Sequence, residues 1–321
     1  MSGTIETPHQ PDTTTVGLEA PAPAPPRDPR KIRWARRRRA FVGFWRVFRQ
    51  SRMGMVGLVM LVVFILIALA APLIVAPEDL KVATAPGVPL QPPSVDFPLG
   101  TDDFGRSVLD LVIYGSRISL LVGFAATLMT MIVGAAVGIA GGYYGGRTDS
   151  VLNAFTNWFL VIPWIPLAIV LASILGQSLF NTILVIGITS WAGTARLVRA
   201  DTLSVKQRPY VERARALGAS NWHLVSRHIL PNVMPVIFAN TVLTVALSIL
   251  AETTLALLGL GDPFSISWGI IIFDAFDAGA LSAGLWWWLI PPGVCICLVT
   301  LAFTMCGYAL DEVLNPRIRE R

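Results

Sequence analysis

Charge is scarce in this chain. Only 14% of its 321 residues are Asp, Glu, Lys or Arg, against 54% hydrophobic residues and a mean hydropathy of +0.63, and the apolar residues gather in long uncharged runs. That balance excludes a soluble domain of this length. Cysteine is equally sparse: Cys295, Cys297 and Cys306 all fall inside one apolar run and read as small apolar residues. Their spacing, without His partners, gives neither a disulfide framework nor a zinc site, so no metal is expected. The three His lie outside the apolar runs or at an edge of one. No Ser–Lys, Ser–His or paired Asp set stands at depth, which argues against an intramembrane enzyme and leaves no catalytic residue to name. No G-x-x-x-x-G-K-[ST] occurs, and the glycine-rich GGYYGGRTDS lacks both the lysine and a preceding strand, so no loop here cradles a nucleotide phosphate.

What is present is hydrocarbon-length apolar sequence. A spanning helix needs about 20 apolar residues, because the hydrocarbon core is roughly 30 Å thick and leaves backbone polar groups no partner but each other. Residues 54–76 give one span, and the uncharged run between Arg117 and Arg147 gives a second. Residues 150–195 pass 46 positions without a charge, too many for one crossing, and Gly176-Gln177-Ser178 divides them into two spans. Residues 232–260 and 285–310 give the fifth and sixth. The fold class expected is an all-α integral membrane protein of six transmembrane helices. With the amino terminus inside, 22 of the 25 Lys and Arg lie on the inner side and only Lys81, Arg106 and Arg117 on the outer, which places both termini in the cytoplasm.

The formal charge of +5 and pI near 9.4 come from WARRRRAFVGFWRVFRQSR, ahead of the first span. Topology and anionic lipid account for that cluster, so membrane lipid rather than nucleic acid is the expected partner. Residues 1–40 form a Pro-rich, basic tail expected to be disordered. Residues 41–53 read as an interfacial amphipathic helix, and 54–321 as the transmembrane domain, with an outer loop over 77–116. Ala68-Leu69-Ala70 mimics a signal-peptide cleavage site but lies too deep in the chain, and the first span is expected to remain as an uncleaved helix. In the second span, Gly134, Gly138, Gly142 and Gly146 recur every fourth residue and predict close packing against another helix. Pro163 and Pro166 predict a kink in the third.

One polar segment interrupts the apolar pattern, ERARALGASNWHLVSRHILP at 212–231. Pro209 opens a helix in which Tyr210, Ala214 and Leu217 form one face and Arg208, Glu212 and Arg215 another, spaced for salt bridges. Gly218 stops it. Ser220 caps a second helix in which Trp222, Val225 and Ile229 share a face, and Pro231 marks its join to the fifth span. The pattern is a helix, a turn and a helix over 207–231, on the cytoplasmic side, with an apolar face that needs a partner.

Here the sequence resembles a family. YVERARALGASNWHLVSRHILPN is similar to the signature loop of ABC-importer permeases, E-A-A, three residues, G, then about a dozen residues to a Leu-Pro. Glu212, Ala214, Gly218, Leu230 and Pro231 match it. Arg213 replaces the second signature residue, while His228 fits the H-I-L-P-N ending of the peptide-transporter branch. FPLGTDDFGRSVLDLVIYGSRISLLVG resembles that branch's outer loop and second-helix start, with Phe97 and Ser107 where a His and an Asp are usual. AETTLALLGLGDPFSISWG and GYALDEVLNPRIR resemble two later blocks, with departures at Thr253, Ala256, Tyr308 and Glu312. The likeness covers about residues 41–319 and points to a C subunit of dipeptide and oligopeptide importers.

The resemblance implies a type I ABC-importer permease in a bacterial inner membrane, multi-pass, forming half of a peptide translocation path. It implies a homologous second permease, two ATP-binding subunits that carry ATP and Mg, and an extracytoplasmic substrate-binding protein. Nickel chelates or oligosaccharides are the alternative cargoes, and a non-transporting membrane scaffold is the alternative from another class. Coupling to the ATPase falls, by this likeness, on Tyr210, Glu212, Ala214, Leu217, Gly218, Ala219, Ser220, Trp222 and Val225. Three further sets stay open to two readings. Asp102, Asp103 and Arg106 make a turn with Gly100 and Gly105 or a contact for the binding protein. Glu252 lines the translocation path or is structurally paired; a charge at membrane depth costs roughly 2.5 to 3.5 kcal/mol on insertion scales, so it needs a partner, water or a proton. Pro163 and Pro166 shape the path or only the packing. Trp286, Trp287 and Trp288 read as an interfacial aromatic belt.

Overall fold

A computed structural model of the chain describes Trp34, Arg38 and residues 42–314. The chain divides into two compact units, Met1–Phe44 and Trp45–Arg321. In the first, the Arg38 guanidinium lies 6.0 Å from the centroid of the Trp34 ring; the rest of the tail expected over 1–40 lies outside the described residues, as does the PRIR block at the carboxyl end.

The second unit is helical. Its elements among the described residues are α1 (Arg52–Ile74), a 3-10 turn (Val82–Thr84), α2 (Val108–Tyr144), α3 (Gly146–Val161), α4 (Trp164–Leu175), α5 (Leu179–Lys206), α6 (Pro209–Ala216), α7 (Asn221–Leu257), α8 (Trp268–Asp277) and α9 (Trp286–Leu314). Five of these, α1, α2, α5, α7 and α9, are each long and apolar enough to cross a membrane.

The third expected span takes a form the apolar run did not predict. α3 and α4 meet at Ile162-Pro163 with a bend of 91°, so they make either one broken span or a re-entrant loop. Pro163 is therefore a break between two helices rather than a kink within one. It stands before the first residue of α4, where its missing N–H leaves no helical acceptor unpaired, and Pro166 sits in the first turn of α4. At 16 and 12 residues, neither piece spans roughly 30 Å at a rise of about 1.5 Å per residue.

Three of the four glycines in the α2 stripe do what their spacing predicts. A Cβ added at Gly134 would lie 2.7 Å from Thr194 Cβ, at Gly138 2.6 Å from the Ala195 carbonyl oxygen, and at Gly142 2.8 Å from Thr202 Cβ, all on α5. Backbone contact of this kind replaces the hydrophobic driving force that lipid removes. Gly146 lies past the end of α2 as the first residue of α3, with nothing within 4 Å of an added Cβ. Asp149 in the first turn of α3 accepts from Arg199 Nε at 2.5 Å and Nη2 at 2.7 Å, which fastens α3 to α5 beside the same stripe.

Several apolar cores result among the described residues, of which two position the polar segment and the outer loop. The larger joins α1, α2, α7, α8 and α9 around Val108, Ile249, Trp268 and Trp288. A second gathers Tyr143, Val198, Val205, Val211, Leu224, Ile229 and Val233 where α2 and α5 end and the polar segment begins. The Trp286–Trp288 belt is corrected here: Trp286 is exposed, but Trp288 is buried in the larger core and Trp287 packs under Gly100.

Candidate functional site

The polar segment folds as a tight hairpin. Pro209 supplies the first turn of α6, where its lost N–H costs nothing. The helix ends in a Schellman arrangement: Ala219 N–H donates to the Ala214 carbonyl at 3.1 Å and Gly218 N–H to that of Arg215 at 3.0 Å. Gly218 takes φ +84°, a left-handed conformation, with open space around it, so its identity is fixed by backbone conformation alone. Ser220 Oγ then accepts from His223 N–H at 3.3 Å and caps the next helix.

That helix is continuous with the span that follows. Pro231 marks no break; it lies in the first turn after a π turn over Val225–Ile229, which closes with a Leu230 N–H to Val225 carbonyl bond. The π turn inserts one residue into the winding. It explains why the fully buried positions are Leu224, Ile229 and Val233, five and then four apart. It also overturns the expected face of Trp222, Val225 and Ile229. Trp222 is 80% exposed, Val225 is half-buried and Ile229 is fully enclosed.

The outward surface is instead formed by Tyr210, Leu217 (88% exposed) and Trp222, with Glu212, Gly218 and Ser220 also exposed. Ala214, Ala219 and Val225 pack inward against the core around Val211 and Leu224. The salt bridges expected among Arg208, Glu212 and Arg215 do not form: the ion pairs among the described residues are Arg106–Asp102, Arg106–Asp274 and Arg199–Asp149. Instead Arg215 lies 6.0 Å from the ring centroid of Tyr143 and Lys206 5.9 Å from it. The Tyr143 hydroxyl donates to Asn221 Oδ1 at 2.8 Å. Neither residue is marked by its local sequence: Tyr143 lies within a glycine cluster and Asn221 beside the Ser220 cap, and their pairing joins positions 78 apart.

At the opposite end of α2 lies the loop expected over 77–116, which the structure ends at Ser107, the N-cap of α2. Asp102 is fully buried and accepts from Phe104 N–H (3.0 Å), Arg106 N–H (2.7 Å) and Arg106 Nε (2.6 Å). It is the turn residue, and it has no surface left for a binding protein. Arg106 also reaches Asp274 on α8 at 4.0 Å. Asp103 is half-buried, and its carboxyl is held above the usual range by burial and by Asp102. Burial raises Asp274 to about 6, Arg106 opposing and Asp103, Asp102 and Asp277 adding to the rise. The element α8 itself was not anticipated, since ten residues are too few to register as a span.

Glu252 is enclosed at 5% exposure and accepts from Ser267 Oγ at 2.6 Å. Its other oxygen, Oε2, is buried with no hydrogen-bond partner among the described residues, so the carboxyl is only half paired. Pro163 and Pro166 are exposed on the bent pair. Among the described residues no three His, Cys, Asp or Glu side chains stand together to hold a metal.

Known proteins place this arrangement. Residues 130–320 match the family described as binding-protein-dependent transport system inner membrane component, and residues 40–93 the N-terminal TM domain of oligopeptide transport permease C. The dipeptide transport system permease protein DppC of Bacillus subtilis is 36% identical over 230 residues, 71% of this chain and 71% of that one. The oligopeptide permease OppC of the same organism is 35% identical over 72% of this chain and 75% of its own length. The glutathione transport system permease protein GsiD of Pectobacterium atrosepticum is 33% identical over 71% and 75%. A chain of the MetNI methionine ABC transporter in an inward-facing conformation shares the fold, with a TM-score of 0.51 at 18% identity over 64% of this chain and 95% of that one. The chain belongs to the binding-protein-dependent transport system inner membrane component family, as a multi-pass ABC permease of the dipeptide and oligopeptide C-subunit type.

Proposed function

We propose that this chain is one of two homologous permease subunits of a bacterial inner-membrane importer for di- or oligopeptides, driven by two ATP-hydrolysing partner subunits that carry ATP and Mg. Both termini and the hairpin at 207–231 face the cytoplasm, and the loop that ends at Ser107 faces the extracytoplasmic binding protein. The peptide cargo is carried over from the names of the dipeptide and oligopeptide permeases it resembles.

The observation that carries the proposal is the outward set Tyr210, Leu217 and Trp222 on a hairpin with an enclosed base. Large apolar side chains held out on a braced support suit a partner cleft, because they lose little conformational freedom on docking. α7 runs from Asn221 to Leu257 without a break in helical winding. A push on Trp222 is therefore delivered to a spanning helix rather than absorbed in a loop. The test is co-purification of the complex with Trp222→Asp or Leu217→Glu. The expected result is loss of the ATPase subunits with the permease pair still in the membrane. Full ATPase retention in both variants would remove the docking assignment.

A further inference from the structure

Between α1 and α2 lies a groove of about 500 Å³ walled by Ile65 and Leu69 on one helix and Leu121 and Phe124 on the other. Both walls belong to membrane-spanning helices. The wall holds one charge. Arg117 is the sole ionised side-chain type on α2 after Asp110, and α1 carries none after Arg52. It is exposed, and no carboxylate among the described residues pairs with it.

We propose that this groove binds one anionic phospholipid, its phosphate held by Arg117 and Tyr114 and an acyl chain lying along Leu121 and Phe124. Three observations converge on that occupant. The Arg117 guanidinium stands 5.0 Å from the Tyr114 ring centroid, one helical turn toward the amino end of α2. Helical side chains lean that way, so the cation is carried toward the headgroup region while its stem stays on the apolar wall. The Tyr114 hydroxyl makes no hydrogen bond among the described residues, so a phenol O–H and a guanidinium fork are both available at the groove's mouth, a donor pair suited to a phosphate. Tyr114 and Phe124 are ten residues apart, about 15 Å along the axis at 1.5 Å per residue, or half of a roughly 30 Å hydrocarbon core. The groove is one leaflet deep.

A helix from a partner subunit is the competing occupant, and it would have to bring a carboxylate to the depth of Arg117, since an unpaired cation against an apolar wall is costly. A phospholipid carries its anion at that level by construction.

The experiment uses the assembled complex in nanodiscs of phosphatidylglycerol or phosphatidylcholine, with native mass spectrometry for retained lipid and a phosphatidylglycerol bearing a photoactivatable acyl chain. The expected result is preferential retention of phosphatidylglycerol, with cross-links on Leu69, Leu121 or Phe124. Arg117→Gln should lower retention at least fivefold and Arg117→Lys less. Leu121→Trp should remove the cross-link by filling the groove while leaving the cation in place, and it keeps the test open if the Arg117 variants fail to assemble. Equal retention of both lipids with no effect of Arg117→Gln, cross-links to a partner subunit's helix across the groove, or displacement of the lipid by inorganic phosphate would each overturn the proposal.

Discussion

The hydroxyl of Tyr143, in the last turn of α2, donates a 2.8 Å hydrogen bond to the side chain of Asn221, the first residue of α7. The ring is buried and has the cations of Lys206 and Arg215 near its faces, so α2, the end of α5, α6 and α7 all meet at one side chain. Tyr143 is thus placed to lock the hairpin to the bundle, a positioning role.

Tyr143→Phe tests that role by removing only the hydroxyl. A single side-chain hydrogen bond contributes about 1 kcal/mol, too little to unfold the domain. The expected outcome is an assembled complex with normal basal ATP hydrolysis and a several-fold loss of the stimulation given by loaded binding protein. Stimulation equal to wild type would show that the hydrogen bond does not matter for transmission.

At Gly218 the prediction is graded. Its φ of +84° lies outside what proline permits, and its N–H bonds to Arg215, so Gly218→Pro loses both the conformation and the bond. Gly218→Ala meets no steric obstacle and pays only the left-handed conformation, about 1–2 kcal/mol. Gly218→Asn should fall between Ala and wild type. Coupled ATP hydrolysis in the order Gly, Asn, Ala, Pro, with membrane insertion unchanged throughout, is the expected result. Equal loss in Ala and Pro would point to a steric cause that the structure does not contain.

These two sites mark how far the sequence carries. Gly218 and Ser220 were legible because a helix stop and an N-cap depend on single residue types. The α2 glycine stripe was legible because close backbone approach admits little else. Tyr143 was not, since a buried tyrosine's value lies in partners 78 positions away. The break at Pro163 was hidden by composition: the residues on either side of the 91° bend, 159–162 and 164–167, carry no charge, and proline is as compatible with a kink as with a new helix. Asp102 and Glu252 were left open because the burial of each is a property of the packed bundle. The π turn did leave a trace, the five-residue step from Leu224 to Ile229, visible only to a search for a shifted period.

Substituting inside and outside the hairpin should separate folding from docking. Val211 and Leu224 are fully enclosed, and Leu224→Ala should destabilise by about 2–5 kcal/mol through lost contact and a residual cavity. Its effect should appear as a lower melting temperature of the detergent-solubilised chain. Trp222→Ala, at an 80% exposed position, should leave that temperature within about a degree while weakening the ATPase complex. A large melting shift from Trp222→Ala would mean that this side chain is part of the support and not of the docking surface.

The last prediction concerns pH at the other end of α2. Asp274 is raised to about 6 by burial, with Arg106 opposing and Asp103, Asp102 and Asp277 contributing in the same sense as burial. A carboxyl whose native pKa lies above its unfolded value binds more protons in the folded state between the two, so its contribution to stability falls as pH rises from about 4 to about 6 and stays lost above that. Asp103, also raised by burial and by Asp102, tilts the curve the same way. The full chain should therefore become more heat-stable as pH is lowered from 7 toward 5, and Asp274→Asn should flatten that gain while raising stability at pH 7, where the wild-type carboxylate is ionised. Amide exchange of residues 97–107 should follow the same profile, because Arg106 links that loop to Asp274 at 4.0 Å. An unchanged pH slope in Asp274→Asn would show that the loop's pH response arises from other groups.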